Sequence, residues 1–305
     1  MTAFLLRRLV WFAITLWVVF TVSFFLMRAV PGGPFSQERE LEPQIAQLIE
    51  ERYRLDDPLW MQYGRELAGA LRGDLGYSYR KPDFSNAEII AQGFPVSASL
   101  GIVALGFAVV LGLPAGIVSA VRRGSLVDAG LMLAATVGIA LPNFVIAGVL
   151  IILLVFLLPV FPAGGWGSLG QLILPAFCLG APYAAYIARL TRTGMLDVLS
   201  QDYIRTAYAK GLPDRVVILR HALRLAMVPV VSFLGPAIAG ILTGSLVIEQ
   251  IFAIPGLGAH FIEAALMSDY TLAMAVVLLY TMLLYGMNLV VDLSYSLIDP
   301  RVQLE

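Results

Sequence analysis

One uncharged run of the sequence extends from Ala129 to Ala188 and is about three times as long as one helix needs to cross a bilayer. A run of this length must fold back on itself. Proline and glycine residues that are typical of a turn occur in the stretch Pro159–Gly167, where Trp166 is also suited to the interface between lipid and water. The run therefore predicts two membrane-spanning helices joined by a short connection.

Four other uncharged runs approach or exceed the length of about 20 residues that one span requires. They are Leu9–Met27, Phe94–Val121, Leu225–Ile248 and Tyr270–Val291. None of them alternates in polarity at every second residue, so helices are favoured over a lipid-facing barrel. The first run is longer than the apolar part of a secretory signal peptide, and we expect it to be retained. We therefore predict an all-α integral membrane protein with six transmembrane helices.

The composition agrees with this class and excludes others. Hydrophobic residues make up 59% of the chain, charged residues 13%, and the mean hydropathy is +0.83. The formal net charge is -1, and no dense basic cluster is interleaved with aromatic residues, so a nucleic-acid-binding surface is not indicated. Cys178 is the only cysteine, which excludes an internal disulfide.

The basic residues of the short connections indicate the orientation in the membrane. Arg7–Arg8 precede the first span and Arg122–Arg123 follow the second. The connections Pro159–Gly170 and Glu249–Asp269 contain no lysine or arginine. The segment between the fourth and fifth spans is rich in basic residues, namely Arg189, Arg192, Arg205, Lys210, Arg215, Arg220 and Arg224. Basic residues collect on the cytoplasmic side, so we expect both termini in the cytoplasm.

Residues 31–93 form a long polar segment on the expected outer side. Two helices are predicted in this segment. Ile45, Leu48, Ile49 and Tyr53 share one face of the first helix. The second helix is predicted to begin with Asp57 as its N-cap and Pro58 as its first helical residue. We expect a small helical insertion, since an unstructured loop of this length, the alternative, is uncommon. The predicted divisions are a first transmembrane helix (1–30), this insertion (31–93), a transmembrane core (94–297) and a cytoplasmic tail (298–305).

The cytoplasmic segment 195–224 also has a helical pattern. Apolar residues recur at helical spacing at Leu196, Leu199, Tyr203 and Ala207. Gly211 offers the left-handed conformation that ends a helix, and Pro213 can begin the next one. The pattern predicts a short helix, a sharp corner and a second helix that runs into the fifth span.

Motifs for catalysis are absent from the sequence. The two histidines, His221 and His260, are predicted on opposite sides of the membrane, which excludes a two-histidine zinc site. The lysines, Lys81 and Lys210, are followed by proline and glycine, so there is no P-loop for ATP. The nucleophile motif G-x-S-x-G does not occur either. We expect a transport subunit with no cofactor of its own and not an enzyme.

Glycines at a spacing of four residues, Gly112 with Gly116 and Gly240 with Gly244, match the G-x-x-x-G motif of close helix contacts in lipid. In a chain with 28 glycines, the alternative is that these glycines are incidental.

The spans contain almost no ionisable residues. Transporters driven by a proton or sodium gradient usually need such groups near the middle of the membrane. Uncharged polar candidates for the translocation path are Asn143, Tyr183 and Tyr186, with ordinary hydrogen bonding between helices as the alternative. Glu249, at the edge of an apolar run, is a further candidate, with interface snorkelling or a local hydrogen bond as the alternative. If no gradient drives transport, the force must come from another protein, and segment 195–224 is the candidate contact. The alternative for that segment is an ordinary solvated loop.

The sequence D-Y-I-R-T-A-Y-A-K-G-L at 202–212, followed by R-H-A-L-R at 220–224 and Pro229, resembles the cytoplasmic EAA loop of bacterial ABC importer permeases of the peptide and nickel group. Against the general pattern E-A-A-x-x-x-G, only Ala207 and Gly211 match. The resemblance implies a coupling helix that sits in a cleft of the ATPase subunit. The coupling residues it implies are Asp202, Arg205, Thr206, Ala207, Lys210, Gly211 and Arg220.

Further motifs extend the resemblance over nearly the whole chain, most closely to the first membrane subunit of oligopeptide permeases. They are Pro31–Pro34, Gly73–Gly76, Phe94–Ala98, Pro142–Phe144, Gly240–Phe252, Pro255–Gly258, Ser268–Tyr270 and Asp299–Arg301. The resemblance implies a type I ABC importer fold. It also implies four kinds of partner: a second homologous permease, two ATPase subunits that bind ATP and Mg, an extracytoplasmic peptide-binding protein, and the lipid bilayer.

The function implied is import of oligopeptides across the cytoplasmic membrane, powered by the ATPase subunits. Pro255, Gly256, Leu257 and Gly258 are the candidate outer gate or scoop. Dipeptides, murein peptides and nickel complexes remain alternative cargoes within the family. A stand-alone gradient-driven carrier or channel is the alternative from a different class.

Overall fold

The computed structural model describes residues 2–29, 54, 56–242 and 245–298. Across these residues the chain is helical, and its extended structure is limited to one bridge between Tyr77 and Ser85. Two π-helical turns, Ile152–Leu157 and Val217–Ala222, continue the helices α5 and α8. The α-helices are α1 (Thr2–Ala29), α2 (Leu59–Leu71), α3 (Asn86–Val121), α4 (Leu126–Ala140), α5 (Asn143–Ile151), α6 (Leu169–Leu199), α7 (Asp202–Ala209), α8 (Asp214–Val216), α9 (Leu223–Ala226), α10 (Val228–Leu242), α11 (Leu246–Ile251), α12 (Leu257–Leu266) and α13 (Tyr270–Ile298).

Some predicted features lie outside the described residues. They are the helical face Ile45–Tyr53, the motifs Pro31–Pro34 and Asp299–Arg301, and Gly244 of the second G-x-x-x-G motif.

Five stretches of the described chain are long and apolar enough to cross a membrane. They are Leu6–Ala29, Asn86–Val121, Leu169–Leu199, Val228–Ile251 and Tyr270–Val290. A sixth span is obtained if α4 and the helix Asn143–Leu157, which are bent by 106° relative to each other, are counted as one. The predicted all-α fold with six spans is therefore confirmed when the bent pair is counted once.

The bend between α4 and α5 is not predicted by the sequence. The part of the uncharged run before Pro159 predicts a single span there. Leu141 ends α4 with φ -83° and ψ 128°, an extended conformation that is favoured before a proline. Pro142 has no N–H group to continue the helical hydrogen bonds, and α5 begins at the next residue, Asn143. The local chemistry of one Leu-Pro pair thus explains the change of direction.

The predicted turn within the long uncharged run is confirmed. Gly165 and Gly167 have φ values of +98° and +123°, which favour glycine. Ser168 then caps α6: its hydroxyl accepts a hydrogen bond from the N–H of Gln171, whose side chain reaches back to Ser168. This capping box fixes the point at which the fourth span begins.

The chain divides into two compact units, each with its own apolar core. The first comprises Met1–Pro95 and Gly256–Tyr285. In it Phe20 and Phe24 of α1 are buried together with Met274 and Leu278 of α13, and Tyr63 of α2 packs against the same cluster. The segment before α3 is thus attached to the membrane helices of its own unit.

Helix α2 begins one residue later than predicted, at Leu59, with Pro58 as its N-cap. Asp57, the predicted N-cap, instead accepts a hydrogen bond from Arg65 at 2.5 Å. Arg28 at the end of α1 binds Glu66 of α2, also at 2.5 Å. Burial raises the pKa of Glu66, and the nearby positive charge of Arg28 opposes this increase.

The second unit comprises Val96–Pro255 and Gly286–Leu304 and is centred on α6. Cβ atoms built on Gly112 and Gly116 of α3 would lie 2.6 Å from the carbonyl oxygens of Ala184 and Ala188 of α6. Lipid tails are as apolar as the side chains in such spans, so close packing is what holds the helices together. The G-x-x-x-G motif at Gly112 and Gly116 is therefore a true helix contact.

Candidate coupling segment and translocation cavity

The predicted coupling segment forms a short helix, α7, after a break in the chain. Helix α6 ends at Leu199, where the Ser200 hydroxyl donates a hydrogen bond to the Asp197 carbonyl group. Gln201 is extended, with φ -76° and ψ 151°, and α7 begins at Asp202. The apolar stripe predicted as one helix is therefore divided between two helices, and this part of the prediction was wrong.

The inner face of α7 is anchored in an apolar cluster of the second unit. Ile204 and Ala207 are buried and pack with Met195 of α6, and with Val217 and Ala222 of the helical segment that follows the corner. Tyr203, which we had predicted on this inner face, is exposed. The difference arises because the break at Gln201 changes the rotation of α7, so that Ile204 takes the inward position.

The outer face of α7 is polar and exposed. Asp202, Arg205, Thr206 and Lys210 all face outward, and Arg205 and Asp202 form a weak ion pair at 3.4 Å. Arg220, beyond the corner, is also exposed. Of the seven predicted coupling residues, Ala207 alone is buried, and it connects α7 to the cluster beneath.

Two exposed tyrosines, Tyr203 and Tyr208, add aromatic surface to this outer face. Partial burial, with the charge of Asp214 and a hydrogen bond to its side chain, raises the pKa of Tyr208. Sequence reasoning missed Tyr208 as a surface residue. The available signal was its position directly after Ala207, one residue off the apolar stripe.

The corner after α7 has the predicted conformation. Gly211 has φ +77°, its N–H group donates to the Tyr208 carbonyl at 2.9 Å, and the N–H group of Leu212 donates to the Ala207 carbonyl at 3.4 Å. This is a Schellman motif, which ends a helix and reverses the chain. Pro213 is the N-cap of α8, which begins one residue later than expected, and the chain continues through α9 into α10.

Three of the four predicted path residues line a single cavity of about 440 Å³ in the second unit. Asn143 lies at the start of α5, and Tyr183 and Tyr186 lie on α6. The two tyrosine rings lie 6.3 and 5.4 Å from the ring of Phe233, which lines the same cavity. The Asn143 side chain is 3.5 Å from the Ser245 hydroxyl. Among the residues that the structure describes, the cavity lining combines apolar, aromatic and uncharged polar residues and includes no charged side chain.

Glu249, the fourth predicted path residue, does not line this cavity. It is fully buried in α11 and accepts a hydrogen bond from the Ser97 hydroxyl at 2.8 Å. The arrangement favours a hydrogen-bonding role over a place on the path, although the bond is not local and joins α3 to α11.

The predicted gate Pro255–Gly258 lies at the start of α12, with Gly256 as its N-cap. Pro255 is exposed, whereas Gly256, Leu257 and Gly258 are buried. In the first unit, Leu257 packs with Ile89 and Leu272. Only one of the four residues therefore presents a side chain on the surface of this chain.

Two buried carboxylates were not singled out from the sequence. Asp128 at the start of α4 accepts hydrogen bonds from Arg192 and from the Gly124 N–H group. Asp269, before α13, accepts hydrogen bonds from the Ser78 hydroxyl and from the N–H group of Tyr79. Their position at the edge of long apolar runs was the available signal, because a charge there needs a partner.

Comparison with known proteins assigns the class of this helical membrane protein. The profile of the family "Binding-protein-dependent transport system inner membrane component" matches residues 112–304, and that of its N-terminal region matches residues 1–101. The chain belongs to this family of inner-membrane transport components. It is accordingly a permease subunit of an ABC importer and a multi-pass protein of the inner membrane.

Several relatives are similar over their whole length. The oligopeptide transport system permease protein OppB of Escherichia coli K12 is 43% identical, over 99% of this chain and 100% of the relative. The dipeptide transport system permease protein DppB of Bacillus subtilis 168 is also 43% identical, over 100% of this chain and 99% of the relative.

A solved structure supports the fold. An inward-facing form of the MetNI methionine ABC transporter matches with a TM-score of 0.58 at 17% identity, over 70% of this chain and 97% of the other. The predicted type I importer permease fold is confirmed by this match together with the family assignment.

Proposed function

We propose that this chain is a permease subunit through which an ABC importer carries oligopeptides across the cytoplasmic membrane. The observation that carries the proposal is the position of α6. This one helix supplies Tyr183 and Tyr186 to the cavity, and Met195 to the cluster on which α7 rests. A displacement of α7 is therefore transmitted to the cavity wall without an intervening loop.

The cavity chemistry suits peptides of varied sequence. Its aromatic rings and uncharged polar groups, from Asn143, Tyr183 and Ser245, can accept side chains and backbone groups without selecting one charge. The peptide cargo is further supported by the names of relatives that match the full length, which include both oligopeptide and dipeptide permeases.

The ATPase docking site in this proposal is the outer face of α7 with the corner that follows. Its exposed charges, at Asp202, Arg205, Lys210 and Arg220, are suited to steer and align a polar partner surface. The buried side of α7 is packed, so force applied to the helix moves the cluster beneath it. Two ATPase subunits bind ATP and Mg, and this chain contributes no cofactor.

The remaining partners are a second homologous permease, which completes the pore, and an extracytoplasmic peptide-binding protein, which delivers the cargo. The basic residues of segment 195–224 support a cytoplasmic position for that segment and for both termini. The connection that carries Pro255–Gly258 then lies outside, where it serves as the gate or scoop for the arriving peptide.

ATP binding closes the two ATPases and pulls the α7 helices of the two permeases together. Helix α6 follows because Ile204 and Ala207 are packed against Met195. The walls formed by Tyr183 and Tyr186 shift, and the cavity changes its access from one side of the membrane to the other. Hydrolysis and ATPase opening reverse the movement, as in alternating access.

The test uses the complete complex in proteoliposomes with its binding protein and ATP. Ala207→Leu overfills the cluster beneath α7, and Gly211→Pro replaces a residue at φ +77° that proline cannot match. Both variants are expected to lower peptide uptake by about tenfold or more, a usual size for coupling between sites. Arg72→Glu, at an exposed arginine after α2, is the matched control and should transport normally.

Two results would contradict the proposal. If uptake and transport-coupled ATP hydrolysis survive both changes, α7 is not the coupling helix. If the purified chain accumulates peptide in vesicles that lack the ATPases, the chain is a gradient-driven carrier.

Dipeptides are the second candidate cargo, because the Bacillus subtilis dipeptide permease is as similar in identity as the oligopeptide permease. A competition assay distinguishes the possible cargoes. Uptake of a labelled pentapeptide is measured in the presence of unlabelled tetrapeptides, dipeptides, murein peptides or nickel complexes. Oligopeptide import is supported if tetrapeptides compete more strongly than the other compounds.

A further inference from the structure

Asp128 and Arg192 form a paired contact between α4 and α6 in the second unit. The Arg192 Nε atom lies 2.8 Å from Asp128 Oδ1, and the Nη2 atom lies 2.9 Å from Oδ2. The Asp128 side chain is 8% exposed. A two-pronged guanidinium–carboxylate contact fixes both distance and angle between the two side chains.

The carboxylate of Asp128 has two further partners from α3 and the corner that follows it. The Ser119 hydroxyl donates to Oδ1, and the Gly124 N–H group donates to Oδ2 at 2.9 Å. Ser125 caps α4 by accepting a hydrogen bond from the Asp128 N–H group. The end of α3, the corner and the first turn of α4 are therefore all attached to Arg192.

Helices α4 and α6 also touch at a second point, so they pack along each other. A Cβ atom built on Gly138 would lie 3.2 Å from the Cβ of Ala185. The order of the two contacts, Asp128 to Arg192 and Gly138 to Ala185, shows that the helices are antiparallel. The pair Asp128–Arg192 fixes one end of this contact.

The other end of the contact lies at the cavity. Ile139 of α4 lines the cavity together with Tyr183 and Tyr186 of α6. Leu141, the residue directly after α4, lines it as well. Arg192 is thus on the same helix as the cavity tyrosines and only three residues before Met195, which packs under α7. The pair lies between the coupling helix and the parts of α4 and α6 that contribute to the cavity wall.

We propose that Asp128 and Arg192 are positioning residues that make α4 move together with α6 when the coupling helix is displaced. The inference rests on the proposed function in taking α7 as the coupling helix. With the pair intact, a displacement of α6 carries α4, and the cavity changes shape as a whole. Without the pair, α6 moves against α4, and ATP is hydrolysed without a matching passage of peptide.

The first measurement is the number of ATP molecules hydrolysed per peptide imported by the reconstituted complex. Asp128→Asn and Arg192→Gln are each expected to raise this ratio by about tenfold, within the usual range for coupling. Arg192→Lys keeps the charge but has no planar fork, so it should raise the ratio less. Arg189→Gln, at an exposed arginine one turn earlier on α6, is the matched control and should leave the ratio unchanged.

The second measurement is the distance between spin labels at Leu126→Cys and Thr193→Cys, both exposed positions, in a Cys178→Ala background. With Arg192 present, the distance distribution should stay narrow and equal in the nucleotide-free and vanadate-trapped complex. With Arg192→Gln, it should broaden or shift between the two states. A purely structural role would lower stability without changing this distance between states.

Unchanged ratios and unchanged distances in assembled Asp128→Asn and Arg192→Gln complexes would overturn the inference. Loss of assembly in Arg192→Lys as well would assign the pair a role in folding only, and would also overturn it. Failure of the proposed function is recognised separately, because the wild-type complex would then import no peptide with ATP while the label distances remained measurable.

Discussion

Gly194 of α6 lies directly against the backbone of Ala226 of α9, so that a Cβ atom built on the glycine would fall 2.5 Å from the Ala226 carbonyl oxygen. A backbone atom cannot move aside as the end of a flexible side chain can. The contact brings the helix that enters the fifth span close to the helix that carries the cavity tyrosines. A glycine is therefore required at this point by space and not by backbone conformation.

Gly194→Ala is expected to force α6 and α9 apart and to lower the stability of the permease by about 1–3 kcal/mol. The measurement is thermal unfolding of the purified complex, together with peptide uptake. Gly130→Ala in α4 is the matched control, because a Cβ atom there would meet nothing within 4 Å. The control should be neutral or slightly stabilising, since alanine has the higher helix propensity. Equal behaviour of the two variants would show that α6 and α9 are not in close contact.

Asp269 is buried between the segment Ser78–Arg80 and the first turn of α13 in the first unit. It accepts hydrogen bonds from the Ser78 hydroxyl and from the N–H groups of Tyr79 and Leu272. Asp269→Ala leaves these buried donors without an acceptor, which should cost about 2–4 kcal/mol. Hydrogen exchange of residues 78–81 should become faster in the variant.

The control for this change is Asp83→Ala, at an exposed aspartate of the same segment. It should alter neither the melting temperature nor the exchange of residues 78–81. Unchanged exchange in the Asp269→Ala protein would mean that the segment is held by other contacts.

The sequence predicted the spans well, because each is a long uncharged run and lipid leaves few alternatives to a helix. It also predicted the corner at Gly211, since a left-handed glycine followed by Pro213 is a local signal. The signal for the bend, the pair Leu141–Pro142, is equally local. It did not lead to a prediction because the apolar run around it has the length and composition of one span.

The parts of the site that could not be predicted depend on contacts between distant residues. Arg192 was counted only as one of many basic residues, because its partner Asp128 lies 64 positions away. Glu249 was assigned to the path, since no pattern in the sequence connects it to Ser97, 152 positions away. The division of the apolar stripe at Gln201 also follows from tertiary packing, because Ile204 is drawn inward against Met195 and Val217.

Glu249 provides a test that distinguishes packing from a role in the path. Glu249→Gln keeps an oxygen that can accept the Ser97 hydrogen bond, so stability and cargo preference should change little. Glu249→Leu removes this acceptor and should lower stability by about 1–3 kcal/mol. The cargo preference is measured by the competition of charged and neutral tetrapeptides for uptake of a labelled peptide. If Glu249→Gln altered the discrimination between cationic and neutral peptides, Glu249 would have to lie on the path.

His260 of α12 is expected to make the first unit sensitive to acid. Burial, together with the positive charge of Lys81, lowers the pKa of His260 below its usual value of 6.5, and the charge of Glu263 opposes this shift only in part. Within the described part of the chain, the buried Nδ1 atom has no hydrogen-bond partner, and it lies 3.8 Å from the Glu263 carboxylate. A histidine with a lowered pKa in the folded state contributes stability that is present above about pH 6.5 and is lost as the pH falls through the folded value.

The melting temperature of the complex should therefore fall between pH 7.5 and pH 5.5, and His260→Gln should reduce that fall. Lys81→Gln removes a charge that disfavours the protonated ring, so it should reduce the fall as well. His221→Gln, at the other histidine of the chain, is the control and should retain the wild-type dependence on pH. An identical fall in the His260→Gln and wild-type proteins would assign the acid sensitivity to another group, because the variant has no imidazole to protonate at this position.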